Sequence, residues 1–227
     1  MKLIPLLLCF CFFSCFPFCV SLQNQAVSQA ALAETPAEPK VEIAAPETED
    51  MLLSATCGKL IYFNQTDARW GKKSYGPQNE IATYGCGPTV LSMLVSSLGK
   101  ETVPPDAMAK WCYENGFFSQ NSGSYHSIIP QGSRAWGLNA RSLSSLSYEA
   151  ITAELKQGRL VVLLMGRGHF TKSGHFIILR DITADGNLLI ADPKSTEHSI
   201  SPWTYGLIRN EIKPSDTPDN HAWSIGR

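Results

Sequence analysis

The chain has 227 residues, 44% of them hydrophobic, with 19 Lys and Arg against 20 Asp and Glu and a formal net charge of −1. That length can bury one sizeable core or two small ones. The charge balance, with no Lys/Arg block longer than two residues, excludes the clustered basic face that nucleic-acid binding calls for.

One lysine precedes an almost uninterrupted apolar run from Leu3 to Val20, with small residues at Ala26, Ala31 and Ala33. Residues 1–26 therefore read as a secretory signal, with an uncleaved membrane anchor as the second reading. Either places the rest of the chain outside the cytoplasm, with membrane or cell-wall association open. Residues 27–56 are rich in Ala, Glu, Pro and Thr and hold no aromatic residue. Such a segment buries too little apolar surface to offset its ordering entropy, so a disordered linker is expected. The folded domain is expected over residues 57–213, with a polar tail at 214–227. Cys9, Cys11, Cys15 and Cys19 lie in the apolar leader, leaving Cys57, Cys86 and Cys112 in the exported part. If Cys57 and Cys112 pair, Cys86 is left as a free thiol; spacing alone does not decide this.

Within the domain, Leu60 to Phe63 reads as a short apolar strand broken at Asn64. "GKKSYGPQNEIATYG" is polar and punctuated by Gly and Pro, hence a loop. From Pro88 to Leu98 the apolar residues Val90, Leu91, Leu94, Val95 and Leu98 recur at helical spacing. Pro88 suits a first turn and Gly99 a stop. A second helix is expected in "PPDAMAKWCYENGFF" and a third over "SYEAITAELKQG". The pattern then changes: "RLVVLLMG" is a continuous apolar run of the kind buried on both faces. "GHFIILRDI" and "NLLIAD" read as two further strands joined by the turn-forming "TADG". Helices first and strands last predict an α+β domain, an N-terminal helical half packed on a C-terminal antiparallel sheet. No internal repeat is present.

The stretch "TYGCGPT" sets Cys86 between Gly85 and Gly87, two residues before Pro88. A thiol there faces the free N–H groups and positive end of a helix, which favours the thiolate. Five histidines follow the linker. His175 stands at a strand start, where a sheet presents groups to a cleft, and is the leading candidate for the base; His169, in a Gly-flanked loop, is the runner-up. His126 and His198 read as solvated loop imidazoles, and His221 as part of the tail. Asp192 closes the next strand, so a hairpin brings it near His175, where it could orient the ring. Gln65, after the first strand, offers a side-chain amide for an oxyanion. Zinc-type Cys/His spacing is absent and no cofactor is implied. Trp70, Tyr84, Trp136 and Trp203 read first as core residues.

"YFNQTDARWG", "YGCGPTVLSM", "GHFTKSGHFIILRDITADGNLLIADP" and "SPWTYGLI" together resemble the bacterial cysteine peptidases related to the double-glycine leader peptidases. The resemblance runs from about Leu60 to Ile212 and keeps element order. It implies a papain-like fold, Gln65 as oxyanion-hole donor, Cys86 as nucleophile, His175 as general base and acid, and Asp192 as orienting group. The implied reaction is hydrolysis of a peptide or protein amide through a thiol acyl-enzyme, by a monomer without a metal. The leader-processing members are commonly fused to a transporter, and no such part is seen, so the reaction type carries over and the substrate does not. The alternatives are a thiol transpeptidase or cell-wall peptide amidase, which the same triad serves, and a member that binds peptides in the cleft without cutting them.

Overall fold

The computed structural model describes residues 50–214 and 221–227. The leader and residues 27–49 of the expected linker lie outside them. The first described element is not linker: β1 (Met51–Ala55) pairs antiparallel with β2 (Gly58–Tyr62). Leu53 and Ala55 alternate inward, as one buried face of a strand requires. Gly58 takes the positive φ of +109° at the hairpin turn. The domain therefore begins several residues before the position expected from composition.

The helical half follows. The short α1 (Ile81–Tyr84) ends at Gly85, and α2 (Cys86–Leu98) begins at the next residue. Val90, Leu91, Met93 and Leu94 of α2 are wholly buried. The α3 helix (Pro105–Glu114) starts with a proline at its first turn and carries Asp106 beside its positive end. The small hairpin β3 (Phe118–Ser119) and β4 (Gly123–Ser124) comes next. A π-helical turn, Ile128–Gly132, then runs into α4 (Ser133–Ala135).

The remaining strands form one six-stranded antiparallel sheet. It is built from β5 (Asn139–Ser142), β6 (Leu160–Met165), β7 (His175–Ile182), β8 (Leu188–Ala191), β9 (Pro202–Trp203) and β10 (Ala222–Gly226), in the order β5–β10–β6–β7–β8–β9. Three helices accompany it: α5 (Tyr148–Lys156), α6 (Thr196–Ile200) and α7 (Tyr205–Glu211). The expected α+β class is the observed one.

Two cores lie on the two faces of this sheet. Leu160, Val162 and Leu164 of β6 join the cluster around α2 and α3, while Val161, Leu163 and Met165 join Ile151 and Leu155 of α5 and Ile208 of α7. Burial on both sides explains why β6 reads as an unbroken apolar run. It also moves α5 away from the helical half, because its apolar stripe covers the reverse face of the sheet.

The segment expected as a polar tail supplies β10, which pairs with β5 on one side and β6 on the other. All five of its residues are buried. "AWSIG" is too short and too far behind a polar stretch to stand out by periodicity, yet as an interior strand it completes the sheet. Cys57, Cys86 and Cys112 are all free, so the pairing of Cys57 with Cys112 does not form. Cys112 is instead a fully buried core residue whose thiol is pushed well above its ordinary range by burial.

Candidate active site

The glycines around Cys86 serve close approach. A Cβ on Gly85 would overlap the carbonyl of Ile81, to which the Gly85 N–H donates at 2.7 Å. A Cβ on Gly87 would collide with Ser124, whose hydroxyl meets the Tyr75 hydroxyl at 2.7 Å. Small residues on both sides let α1, α2 and the β3–β4 hairpin converge on one half-buried thiol at the first residue of a 13-residue helix.

The sheet brings the imidazole. His175 opens β7, is 4% exposed, and lines the same cleft as Cys86, where each group shifts the ionisation of the other. Its Nε2–H donates to Asp192 Oδ1 at 2.7 Å, which leaves the other ring nitrogen for the thiol. The hairpin register accounts for this meeting. Ile178 of β7 is opposite Ala191 of β8, so residues just before Ile178 lie beside residues just after Ala191.

Burial disfavours the Cys86 thiolate, yet the bond and charge of His175, with the N–H groups of Phe176 and Gly87, hold the thiol below its usual range. Burial likewise opposes the imidazolium, and the hydrogen bond to Asp192 with the neighbouring Cys86 thiolate outweighs it, raising His175 to about 9. Asp192 is 1% exposed. Desolvation resists its charge, but the two imidazoles and the Lys194 N–H keep it below the ordinary carboxylate range. The three groups together favour a thiolate–imidazolium pair held by a buried carboxylate.

Asp192 also has a partner that sequence reading missed. His198, expected as a solvated imidazole, donates from Nδ1 to Asp192 Oδ2 at 2.7 Å. Ser195 caps α6 by accepting from the His198 N–H at 3.1 Å, and this short turn swings His198 back over Asp192. Phe170 and Trp203 pack edge-on against the His198 ring, and Trp203 Nε1–H donates to the His198 carbonyl at 2.9 Å. The available signal was the Asp192-Pro193 turn with a histidine six residues beyond the aspartate.

Gln65 is at the site and already engaged. Its backbone N–H donates to the Pro193 carbonyl at 2.6 Å, tying the first loop to the residue after Asp192. Its Nε2 donates to the Ala82 carbonyl at 2.8 Å, while Oε1 is buried without a partner. Serving an oxyanion requires that amide to turn off Ala82. The runner-up His169 lines the smaller cavity at the site but is engaged with another partner: its ring and backbone N–H bond the Glu211 carboxylate. His126 lines the cleft, and burial together with the charge of Lys213 holds it below the ordinary histidine range. His221 contributes a carbonyl that accepts from Leu164 in the sheet.

A cleft of about 880 Å³ opens on Cys86 and His175 between the β3–β4 hairpin side and the sheet, with Tyr84 in its wall. A second cavity of about 390 Å³ meets the same two residues from the side of Gln65 and residues 168–174. Trp70, by contrast, is a core residue stacked edge-on against Phe63. Among the described residues no group of His, Cys, Asp and Glu could hold a metal ion, and no helix is long and apolar enough to cross a membrane.

The family described as Peptidase_C39 like matches residues 59–214. A crystal structure from Bacillus anthracis described as that of a C39-like peptidase is similar, with a TM-score of 0.48 and 15% identity, covering 79% of this chain and 98% of that one. No curated protein matches the sequence.

Proposed function

The chain belongs to the Peptidase_C39-like family and has the papain-like α+β fold, and on that premise we propose that it is an exported cysteine peptidase acting through Cys86, His175 and Asp192. The observation that carries this reading is the buried His175–Asp192 hydrogen bond in the cleft that also exposes the Cys86 thiol at a helix start. A binding protein has no use for an ionised thiol at that point, whereas acyl transfer requires one.

The Cys86 thiolate attacks the substrate carbonyl carbon, forming the S–C bond and placing the carbonyl electrons on oxygen. The Cys86 backbone N–H, at the start of α2, supplies a donor to that oxyanion. Gln65 adds a second kind of donor once its amide turns from Ala82. Collapse of the intermediate breaks the C–N bond, and the leaving amine takes the proton from His175. Water then attacks the acyl-enzyme while His175 accepts its proton, and cleavage of the S–C bond restores the thiolate. Asp192 holds the ring in the tautomer both steps need.

Incubation of the full chain with denatured casein, followed by mapping of new termini, tests the reaction. The wild type is expected to generate new amino and carboxyl termini and C86A none, with both proteins folded by circular dichroism. Equal iodoacetamide labelling of wild type and C86A would overturn the assignment of the nucleophile. Incorporation of an added amine in place of water would reassign the reaction to transpeptidation.

A further inference from the structure

The walls around the thiol carry one sign of charge. Lys194 and Lys213 line the larger cleft, and Lys172 and Lys194 line the smaller cavity, so Lys194 stands where the two meet at Cys86 and His175. The Lys213 ammonium lies 3.6 Å from where a Cβ on Gly174 would sit, beside His175. No Asp or Glu among the described residues lines either cavity. Two carboxylates beside the lining residues are already bound, Asp192 by two imidazoles and Glu211 by His169. None of the three lysines forms an ion pair with another described residue. The rest of the larger wall is uncharged, polar at Ser119, Asn121 and Ser127 and apolar at Tyr125, Leu164 and Phe176.

The whole chain has a formal net charge of only −1, so this positive field is a local feature of the cleft. Low-dielectric walls concentrate such a field on whatever enters. A basic peptide would meet like charges with no acid to offset them, and a neutral one would leave the lysines solvated and idle. We propose that the cleft selects an acidic peptide segment, with Glu or Asp side chains on both sides of the scissile amide meeting Lys172, Lys194 and Lys213. The proposal rests on the peptidase reading and adds the substrate class to it. Lys194, shared by the two cavities, takes the carboxylate nearest the cut. Lys213 and Lys172 take those farther along on either side.

The test uses the full chain and internally quenched peptides built around a cut mapped in casein, carrying Glu, Gln or Lys at the flanking positions. Glu peptides are expected to exceed Gln peptides by about tenfold in kcat/KM, a scale set by one or two close charge pairs at a wet surface. That ratio shrinks in about 0.5 M salt, where the screening length is only a few ångströms. The double variant K194Q/K213Q draws the Glu-to-Gln ratio towards one, and K194E/K213E turns the preference towards Lys peptides. Equal kcat/KM for Glu and Gln peptides, or a ratio that K194Q/K213Q leaves unchanged, overturns the proposal. Binding of the same labelled peptides to C86A, followed by anisotropy, separates the two levels of inference. Absence of new termini in casein defeats the peptidase reading, and the Glu, Gln and Lys series on one neutral peptide scaffold, bound to C86A, then still decides the acidic preference; turnover without that preference defeats only the latter.

Discussion

Asp192 accepts from His175 on one carboxylate oxygen and from His198 on the other, each at 2.7 Å. Pinning both oxygens fixes the plane of the carboxylate, and hence the direction in which it holds His175. His198 is thus a positioning residue, acting on the thiol only through Asp192 and His175. The low pKa of Asp192 contributes stability that is present above the unfolded carboxylate range, near 4, and lost as pH falls through the folded value. His198 helps to hold that value down. H198A is therefore expected to begin acid unfolding at a higher pH than wild type, read by tryptophan fluorescence, and to lower kcat about tenfold with little change in KM. H198N, whose amide can still donate to Oδ2, should restore part of both; an unmoved acid transition in H198A would remove the role. The thiol and imidazole give a second pH signature. Iodoacetamide labelling of Cys86 should rise at a lower pH than that of a free cysteine, whose pKa is about 8.5. Peptide hydrolysis should fall as pH rises through about 9, where His175 loses the proton that the leaving amine needs. Labelling does not fall there, because the thiolate persists. Parallel decline of the two rates would contradict the ion pair.

At the scale of elements, α2 opens on Cys86, β7 opens on His175, and Asp192 directly follows β8. They meet because Phe176 and Ile178 of β7 share a core with Val90, Leu91 and Leu94 of α2. The β3–β4 hairpin closes the cleft over the first turn of α2, and Gly87 leaves the room for it. G87A must push Ser124 aside and break its bond to Tyr75. The expected result is a loss of stability of about 1–3 kcal/mol, typical of overpacking. Displacement of the cleft wall should reduce turnover further than that loss of stability explains. Comparison of chemical denaturation with kcat/KM checks this; an activity loss no larger than the unfolded fraction would show that the hairpin only supports the fold. The α2, α3, β6, β7 and β8 elements were legible because each is a periodic or unbroken apolar segment, as even the four residues of β8 are. The β3–β4 hairpin, β5, β9 and the π-helical turn were not, since each is only two to five residues long and held by neighbours.

The whole domain depends on both of its sequence ends. At one end, the β1–β2 hairpin is tied to the sheet by the buried Arg180, which donates to the Ser54, Ile190 and Ser199 carbonyls, while the Thr56 N–H donates to the Arg180 carbonyl at 2.8 Å. At the other, β10 lies between β5 and β6 and buries Trp223 and Ile225 in the core that also holds α2. Truncation after residue 214 removes an interior strand and unpairs both neighbours. The shortened chain is expected to lose its cooperative thermal transition, a result that circular dichroism and calorimetry would check. A sharp transition near that of the intact protein would show that β10 is dispensable.

The sequence by itself determined the helix that opens at Cys86, the strands that bracket His175 and Asp192, and the spacing of Gln65, Cys86, His175 and Asp192 along them, because these depend on local periodicity, capping and turn chemistry. Tertiary structure decided which imidazoles reach the carboxylate, that Gln65 spends its amide on Ala82, that α5 covers the reverse face, and that the last five-residue strand is interior. Those outcomes turn on pairings between residues far apart in the chain, where the energy lies in burial and in hydrogen bonds that no local pattern records.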